Sequence, residues 1–247
     1  GSHNFNMMLA SGGSLYIDGG KPAKGLIQQS IENLSMVSGT LAFNVPVGFA
    51  MLRDAMKKDA GLRRSYFEDL DMLFYAGASL PQDVWRDLEE MATEVRGHVP
   101  LMNSSWGLTE TAPATLIQHE PTDRSGIVGV PMTGVTVKLV PTDDERFEVR
   151  VKGPNIMSAY FEAPDKTADA FDEDGYFCTG DAMAFVDPAD MDKGLRFDGR
   201  IAEDFKLLTG IWVRAAGLRL EALGRLTPWA ADVVVVGEGH NEVGLLI

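Results

Sequence analysis

The stretch that decides the fold is Met72-Leu73-Phe74-Tyr75-Ala76-Gly77-Ala78-Ser79-Leu80-Pro81-Gln82. Its first four residues form a short apolar run, which is typical of a buried strand. A glycine turn follows, and Gln82 stands three residues after Ser79, a spacing that predicts a capping box and a helix to about Glu94. Strand, glycine turn and helix in succession predict an α/β domain with binding groups at strand ends.

The residues before this stretch predict a strand and two helices. Leu15 to Ile17 is apolar and precedes the turn Asp18-Gly19-Gly20, so it predicts a short strand. Ile27 to Leu34 predicts a helix. Pro46 to Lys58 predicts a second helix, because it has proline at its start and two lysines at its end, where the helix dipole favours cations.

The pattern changes toward the second half of the chain. Val99 to Met102 predicts one more buried strand, whereas Val135 to Val140 and Phe147 to Lys152 predict the two arms of a hairpin in a smaller β-rich region beyond Gly126. The last residues predict a helix and two strands, namely Leu218 to Leu226, Val233 to Val236 and Val243 to Ile247. No polar residue follows the final apolar run, so we expect the last domain to be cut short.

Length and charge narrow the class of protein. With 247 residues, 45% of them hydrophobic, the chain can bury a substantial core as one large domain or two unequal ones. A formal net charge of -14 argues against a nucleic-acid partner, because a duplex-binding surface needs clustered Lys and Arg. No apolar stretch is long enough to cross a bilayer and no leader is recognisable, so we expect a cytoplasmic protein without membrane insertion. The oligomeric state stays open.

Neither a disulfide nor a structural zinc is expected. Cys178 has no second cysteine to pair with, and no neighbour in sequence would lower the pKa of its thiol, so we expect a packed thiol. The histidines are too far apart in sequence for a compact metal motif: His3, His98, His119 and His240.

The segment Ser104-Ser105-Trp106-Gly107-Leu108-Thr109-Glu110 contains side chains that suit a nucleotide. Trp106 can stack on a purine, and Gly107 lets the backbone approach a ligand closely. Thr109 can hydrogen-bond a phosphate oxygen, and Glu110 can hold Mg²⁺ through a carboxylate oxygen. Taken alone, the same residues also fit a strand end, a glycine turn and a capping threonine.

Four segments in order resemble the motifs of the adenylate-forming superfamily, which contains acyl-CoA synthetases, aryl-CoA ligases, luciferases and the adenylation domains of peptide synthetases. Trp106 to Glu110 is similar to its aromatic-Gly-x-Thr-Glu motif, and Tyr75 to Leu80 to its glycine-rich adenine-pocket segment. Tyr176-Phe177-Cys178-Thr179-Gly180-Asp181 resembles its Tyr-x-x-Thr-Gly-Asp motif. Gly199-Arg200 with Lys206 and Gly210 resembles the hinge motif between its large and small domains.

The resemblance covers nearly the whole chain and implies an adenylation domain of α/β class. Residues 1–125 would form its layered α/β part without the N-terminal portion, and residues 126–200 a small β-rich part. Residues 201–247 would form the hinge and the truncated start of a small C-terminal α/β domain.

The resemblance also implies a role for individual residues. Asp181 and Arg200 would reach the ribose hydroxyls, Thr109 and Glu110 would be catalytic, and Glu110 would hold Mg²⁺. The residues that would bind the nucleotide are Gly77, Ala78, Ser79, Ser105, Trp106, Gly107, Asp181, Arg200 and Lys206. The residues that would line the acyl pocket are His3, Phe5, Val47, Phe49, Pro113 and Ala114, although the helical spacing of Val47 and Phe49 equally fits plain core packing.

A narrower resemblance points to the feruloyl-CoA synthetase branch of the superfamily. It rests on His3-Asn4-Phe5-Asn6, Leu15-Tyr16-Ile17-Asp18 and Asn44-Val45-Pro46-Val47-Gly48-Phe49, and it would make His3 native rather than part of a cloning remnant. The implied reaction joins a carboxylic acid, ferulate or another hydroxycinnamate, to the α-phosphate of ATP and releases pyrophosphate. Coenzyme A then attacks the acyl-adenylate and releases AMP.

The chain also departs from the superfamily pattern. A phosphate loop ending in Lys-Gly and a late catalytic lysine have no equivalent here, so we expect a fragment with little or no adenylation activity. Ala202 stands at a hinge position where relatives commonly carry Asp or Lys, and Glu203 and Asp204 offer polar groups beside it. A ligase for another aryl or fatty acid, or a non-catalytic module that binds AMP, remains an alternative.

Overall fold

The computed structural model describes residues 2–77, 79–142, 145–226, 229–230 and 233–247. It separates into two compact units, Gly1–Met132 and Thr133–Ile247. The domain borders predicted after residues 125 and 200 concern the whole protein and stay predictions.

The first unit combines helices with a five-stranded sheet. Its strands lie in the order β1-β2-β3-β4-β5, in which β1, β2 and β3 are parallel and β4 and β5 are antiparallel to their neighbours. The strands are β1 Leu41–Asn44, β2 Met72–Tyr75, β3 Leu101–Trp106, β4 Leu116–Ile117 and β5 Ile127–Pro131. The helices are α1 Ser2–Ser11, α2 Gln28–Leu34, α3 Pro46–Met56, α4 Ala60–Phe67 and α5 Gln82–Arg96, and a single 3-10 turn covers Thr109–Thr111.

Helix α5 shows how the sequence builds the core of this unit. Its buried residues recur at helical spacing and form one apolar stripe: Val84, Trp85, Leu88, Met91 and Ala92. The helix ends at Gly97, whose φ of 75° is the left-handed conformation that glycine adopts without a steric penalty. The stripe packs in one hydrophobic cluster with residues of α3, α4, β2 and β3.

The second unit is built on an antiparallel sheet in the order β9-β8-β7-β6. Two short hairpins follow, β10 with β11 and β12 with β13. The strands are β6 Thr136–Pro141, β7 Phe147–Lys152, β8 Phe177–Phe185, β9 Leu195–Arg200, β10 Phe205–Lys206, β11 Trp212–Val213, β12 Val234–Val236 and β13 Gly244–Leu246. The helices are α6 Pro164–Asp169 and α7 Ala215–Leu226, with 3-10 turns at Met191–Lys193 and Ile201–Glu203.

The structure confirms the predicted α/β class and most predicted elements. The strand at 72–75 and the hairpin arm at 147–152 have the predicted bounds, and the helices predicted near 27–34, 46–58 and 218–226 are present with ends shifted by a few residues. Among the described residues, no helix combines the length and apolar character needed to cross a membrane.

Three local predictions were wrong. Leu15 to Ile17 forms no strand, and Tyr16 and Ile17 are largely exposed. The capping box at Ser79 is absent, because α5 begins at Gln82 with Pro81 as its N-cap. The side-chain amide of Gln82 donates instead to the carbonyl of Asp123 at 3.1 Å.

The third wrong prediction concerns the bounds of the strand predicted from Val99 to Met102. Strand β3 begins at Leu101 and continues to Trp106, so it includes Ser105 and Trp106. Cross-strand pairing of these two residues with Ile117 and Leu116 of β4 extends the strand beyond its apolar start.

An ion-pair network stabilises the sheet of the second unit around Asp172. The nearly buried carboxylate of Asp172 accepts hydrogen bonds from Lys138 Nζ at 2.9 Å, the Tyr176 amide at 2.9 Å and Arg150 Nη1 at 3.2 Å. The Lys138 ammonium is the largest of the causes that hold the pKa of the Asp172 carboxyl well below its ordinary value.

Replacing Asp172 by Asn should therefore lower stability in a pH-dependent way. A depressed folded-state pKa stabilises the protein above the ordinary value of 3.8, and this stabilisation is lost as the pH falls below it. Urea unfolding should show the Asp172→Asn variant less stable than the unchanged chain at about pH 7, with the difference shrinking toward about pH 2.5. A difference that stays constant between these two pH values would contradict the assigned ion pairs.

Candidate functional site

In the first unit, three parallel strands carry polar residues to the same edge of the sheet. Asn44, Tyr75 and Ser104 are register partners across β1, β2 and β3, and register partners in neighbouring strands project to the same face. The segment after each strand leaves the sheet at its carboxyl edge, which is where open α/β sheets bind ligands. Gly77 follows β2 with a φ of 91°, and a Cβ at this position would lie 4.0 Å from the Val45 side chain.

Tyr75 is the aromatic residue at this edge of the sheet. Its ring is buried and packs edge-to-face on Trp85 of α5, with ring centroids 5.9 Å apart. Burial raises the pKa of the Tyr75 phenol, although interactions with the Ser104 side chain and the Gly126 backbone act in the opposite direction. Tyr75 is therefore a neutral group at physiological pH.

The turn after β3 is held by a buried threonine. The Thr111 hydroxyl accepts a hydrogen bond from the Leu108 amide at 2.8 Å and lies 3.1 Å from the carbonyl oxygens of both Leu108 and Pro113. Thr111 is fully buried, whereas Thr109 is exposed and Glu110 is half-buried. The turn thus anchors on Thr111 and leaves the two predicted catalytic residues accessible.

Gly107 allows this turn to fold back on itself. A Cβ at residue 107 would lie 1.5 Å from the Pro113 carbonyl oxygen and 2.9 Å from Thr111 Oγ1. Pro113 therefore packs against the turn backbone while its own side chain is exposed, and the half-buried Ala114 follows it.

Sequence reasoning missed Thr111, which lies one position beyond the recognised motif. A threonine three residues after Leu108 fits a hydroxyl-capped turn, but only the fold reveals that this hydroxyl is buried.

The two threonines of this turn provide a matched pair of substitutions. Thr111→Val removes the hydroxyl and leaves the Leu108 amide without this acceptor, so it should cost about 1–3 kcal/mol of unfolding free energy. Thr109→Val changes an exposed side chain and should stay within about 0.5 kcal/mol of the unchanged chain. Urea unfolding of both variants measures the contrast, and equal costs would show that Thr111 does not anchor the turn.

Trp106 and Ser105 occupy the strand that leads into the turn. Trp106 is 7% exposed, so a purine could stack only on the small part of the ring that reaches the surface. Ser105 is half-buried and points to the opposite face of β3. Ser79, also predicted to bind the nucleotide, is half-buried after β2, and Ala78 lies outside the described residues.

In the second unit, the Tyr176 to Asp181 motif forms the start of β8. The Thr179 hydroxyl donates to the Val149 carbonyl at 2.5 Å and accepts from the Asp181 amide at 3.1 Å. Gly180 between them has a φ of 69°, which directs Asp181 toward β9 at a bulge in the sheet. Thr179 therefore fixes the backbone that carries Asp181.

Asp181 and Arg200, both predicted to bind ribose, are cross-strand partners. Arg200 Nε lies 3.4 Å from Asp181 Oδ1, and the Asp181 side chain is 3% exposed whereas the Arg200 side chain is 58% exposed. The arrangement joins a buried carboxylate to a guanidinium that reaches into solvent. Lys206 lies in β10, where its exposed ammonium is 5.9 Å from the centroid of the Trp212 ring.

The predicted acyl-pocket residues do not all come together. Phe5 on α1 and Phe49 on α3 border one open cleft of about 960 Å³ within the first unit. Phe49 is fully buried in the hydrophobic cluster, as core packing requires, and also borders the cleft, while Val47 is exposed. Val47, Pro113 and Ala114 do not border this cleft, and the side chain of His3 lies outside the described residues.

Glu110 is compatible with a magnesium ion that bridges to a nucleotide. Mg²⁺ in such sites keeps several waters and takes one or two carboxylates plus phosphate oxygens, so a single accessible carboxylate suffices. Within the described ranges, no group of three or more His, Cys, Asp or Glu side chains could hold a metal by itself.

Three known proteins illustrate the similarity of this chain to acid-activating enzymes. The probable 4-coumarate–CoA ligase 2 of Dictyostelium discoideum is 28% identical over 166 residues, which are 64% of this chain and 29% of that protein. A malonyl-CoA ligase, solved with methylmalonyl-CoA and AMP bound, matches with a TM-score of 0.56 at 29% identity over 88% of this chain and 45% of that chain. The chain thus spans less than half the length of either protein.

The third comparison concerns the fold alone. The A domain of the carboxylic acid reductase of Segniliparus rugosus, solved with AMP and a co-purified carboxylic acid, has a TM-score of 0.72 at 21% identity. The match covers 97% of this chain and 38% of that chain, and it confirms the predicted adenylation-domain fold.

The family model for the AMP-binding enzyme matches residues 1–161, which is more than half of the sequence. The chain belongs to the AMP-binding enzyme family.

Proposed function

We propose that the protein carrying this chain activates a carboxylic acid with ATP, forming an acyl-adenylate and then a thioester of coenzyme A. The observation that carries the proposal is the edge of the first sheet, where Asn44, Tyr75 and Ser104 align and the turn after β3 presents Thr109 and Glu110. Membership of the AMP-binding enzyme family and the ligases among its relatives support the same reaction.

Thr109 and Glu110 would act on the phosphates. The exposed Thr109 hydroxyl would donate a hydrogen bond to a phosphate oxygen, and the Glu110 carboxylate would hold Mg²⁺, which offsets the negative charge of ATP. Gly77, Ala78, Ser79, Ser105, Trp106 and Gly107 would form the surroundings of the adenine. No side chain in this proposal attacks the substrate, so catalysis rests on positioning and on charge stabilisation.

Asp181 and Arg200 would bind the ribose. A carboxylate accepts hydrogen bonds from two neighbouring hydroxyls, and the guanidinium of Arg200 lies beside the buried carboxylate of Asp181. Lys206 would add a positive charge near the nucleotide.

We further propose that the acid is ferulate or another hydroxycinnamate. The resemblance of His3 to Asn6 and Asn44 to Phe49 to the feruloyl-CoA synthetase branch supports this, as does a relative named for 4-coumarate. The cleft bordered by Phe5 and Phe49 offers mostly apolar walls beside Asn44, which suits an aromatic ring with a polar substituent.

A substrate panel on the whole protein tests the proposal. We expect AMP formation that depends on both coenzyme A and ferulate, and little with aliphatic acids. Activity with aliphatic acids and none with hydroxycinnamates would overturn the substrate assignment. AMP binding without turnover of any acid would favour a non-catalytic module.

A further inference from the structure

Arg146 is a buried arginine that precedes β7 and contacts both sides of the segment around Arg200. Arg146 Nη2 lies 2.8 Å from Asp204 Oδ2, and Arg146 Nη1 donates to the Asp198 carbonyl at 3.3 Å. Both side chains of the ion pair are almost buried. The Arg146 guanidinium therefore contacts the chain at Asp198, two residues before Arg200, and at Asp204, four residues after it.

The backbone between these two points is also held in place. Gly199 has a φ of 93°, and a Cβ there would lie 2.6 Å from the Cβ of Ala216 on α7. The 3-10 turn Ile201–Glu203 then leads directly to Asp204. Arg200 thus projects from a short segment whose ends are fixed by Arg146 and whose start packs on a helix.

Stability alone does not explain the Arg146–Asp204 pair. Within the described part of the chain, Arg146 Nε and Asp204 Oδ1 are buried without a hydrogen-bond partner. A buried ion pair with unmet hydrogen bonds carries a desolvation penalty, and apolar residues of similar size often stabilise such a position equally well. The more specific consequence of the Arg146–Asp204 pair is that it holds the backbone of residues 198–204 in place.

The backbone directly before Arg146 adopts an uncommon conformation. Glu145 has a φ of 61°, a left-handed conformation that a residue with a side chain adopts only when the surrounding structure requires it. The Arg146 carbonyl accepts hydrogen bonds from both the amide and the hydroxyl of Thr142. Thr142 therefore holds the backbone of Arg146 in place.

We propose that Arg146 is a positioning residue, which holds residues 198–204 so that Arg200 stays beside Asp181 for nucleotide binding. This inference rests on the proposed function, because it assigns Arg200 to the ribose. Neither the family motif nor the sequence pattern includes Arg146 or its pairing with Asp204.

Two measurements on the Arg146→Gln variant test the proposal. Trypsin cleavage after Arg200 should be about tenfold faster than in the unchanged chain, because the segment opens more often, while cleavage after the exposed Arg124 should stay the same. AMP affinity in calorimetry should fall about tenfold, since the ribose contact is no longer held in place. Arg146→Lys keeps the charge near Asp204 and should recover part of both effects.

Arg150→Gln is the matched control. Arg150 is a partly buried arginine of the neighbouring strand that pairs with Glu148 and Asp172 and does not bond to residues 198–204. It should leave both cleavage after Arg200 and AMP affinity within about twofold of the unchanged chain, even though it lowers stability. If Arg146→Gln and Arg150→Gln behave alike in both measurements, the proposal is wrong.

The two possible failures can be told apart. If the unchanged chain binds AMP and Arg146→Gln binds it equally well, the positioning role is wrong while the proposed function stands. If the unchanged chain binds no AMP, the proposed function fails and the positioning role fails with it, whatever the cleavage rates are.

Discussion

Replacing Asp181 by Asn should weaken AMP binding roughly 10- to 100-fold, because a carboxylate that accepts hydrogen bonds from ribose hydroxyls contributes about 1.5–3 kcal/mol. The structure gives a reason to prefer Asn, since Asp181 is almost fully buried beside Arg200 and truncation to Ala would leave a cavity at the bulge of β8. Calorimetric titration of AMP measures the effect.

Asp172→Asn is the control for this prediction. Asp172 is also a nearly buried carboxylate paired with an arginine in the second unit, but no nucleotide role is assigned to it. It should lower stability and leave AMP affinity unchanged. An Asp181→Asn variant that binds AMP as tightly as the Asp172→Asn variant would contradict the ribose assignment.

Replacing Gly107 by Ala should strongly destabilise the first unit. The new Cβ would overlap the Pro113 carbonyl, which is backbone and cannot rotate away, so the turn must unfold or shift. We expect a loss of about 3 kcal/mol or more of unfolding free energy, with a fall in AMP affinity, because Thr109 and Glu110 move with the turn. Urea unfolding and AMP titration measure the two effects.

Gly217→Ala adds the same methyl group and should not lower the unfolding free energy. Gly217 lies inside α7, and a Cβ there meets no atom within 4 Å. Alanine should therefore leave stability unchanged or raise it by about 0.5–1 kcal/mol. Equal stability of the Gly107→Ala and Gly217→Ala variants would show that the turn after β3 does not fold back as described.

The sequence predicted the elements whose apolar pattern is local. The strand at 72–75 and the hairpin arm at 147–152 emerged with their true bounds, because short apolar runs beside turn residues carry enough information. Leu15 to Ile17 shows the limit of this reasoning: its residues are apolar enough for a strand, but a strand also needs a partner, and pairing is not visible in the pattern.

The candidate site could be proposed from the sequence only where a motif carries it. Thr109, Glu110, Asp181 and Arg200 stand in recognisable spacings. The structure makes Asp181 and Arg200 cross-strand partners, and their role in ribose binding stays a prediction. Thr111 and Arg146 could not be found in the same way. Their importance comes from burial and from contacts with residues far along the chain, such as that of Arg146 with Asp204, which only the fold brings together.

The most direct test of the account is calorimetric titration of AMP into this chain, with GMP as the control nucleotide. The proposed function predicts saturable one-to-one binding of AMP and much weaker binding of GMP. No heat of binding at AMP concentrations of about 1 mM or above would contradict a nucleotide site in this chain.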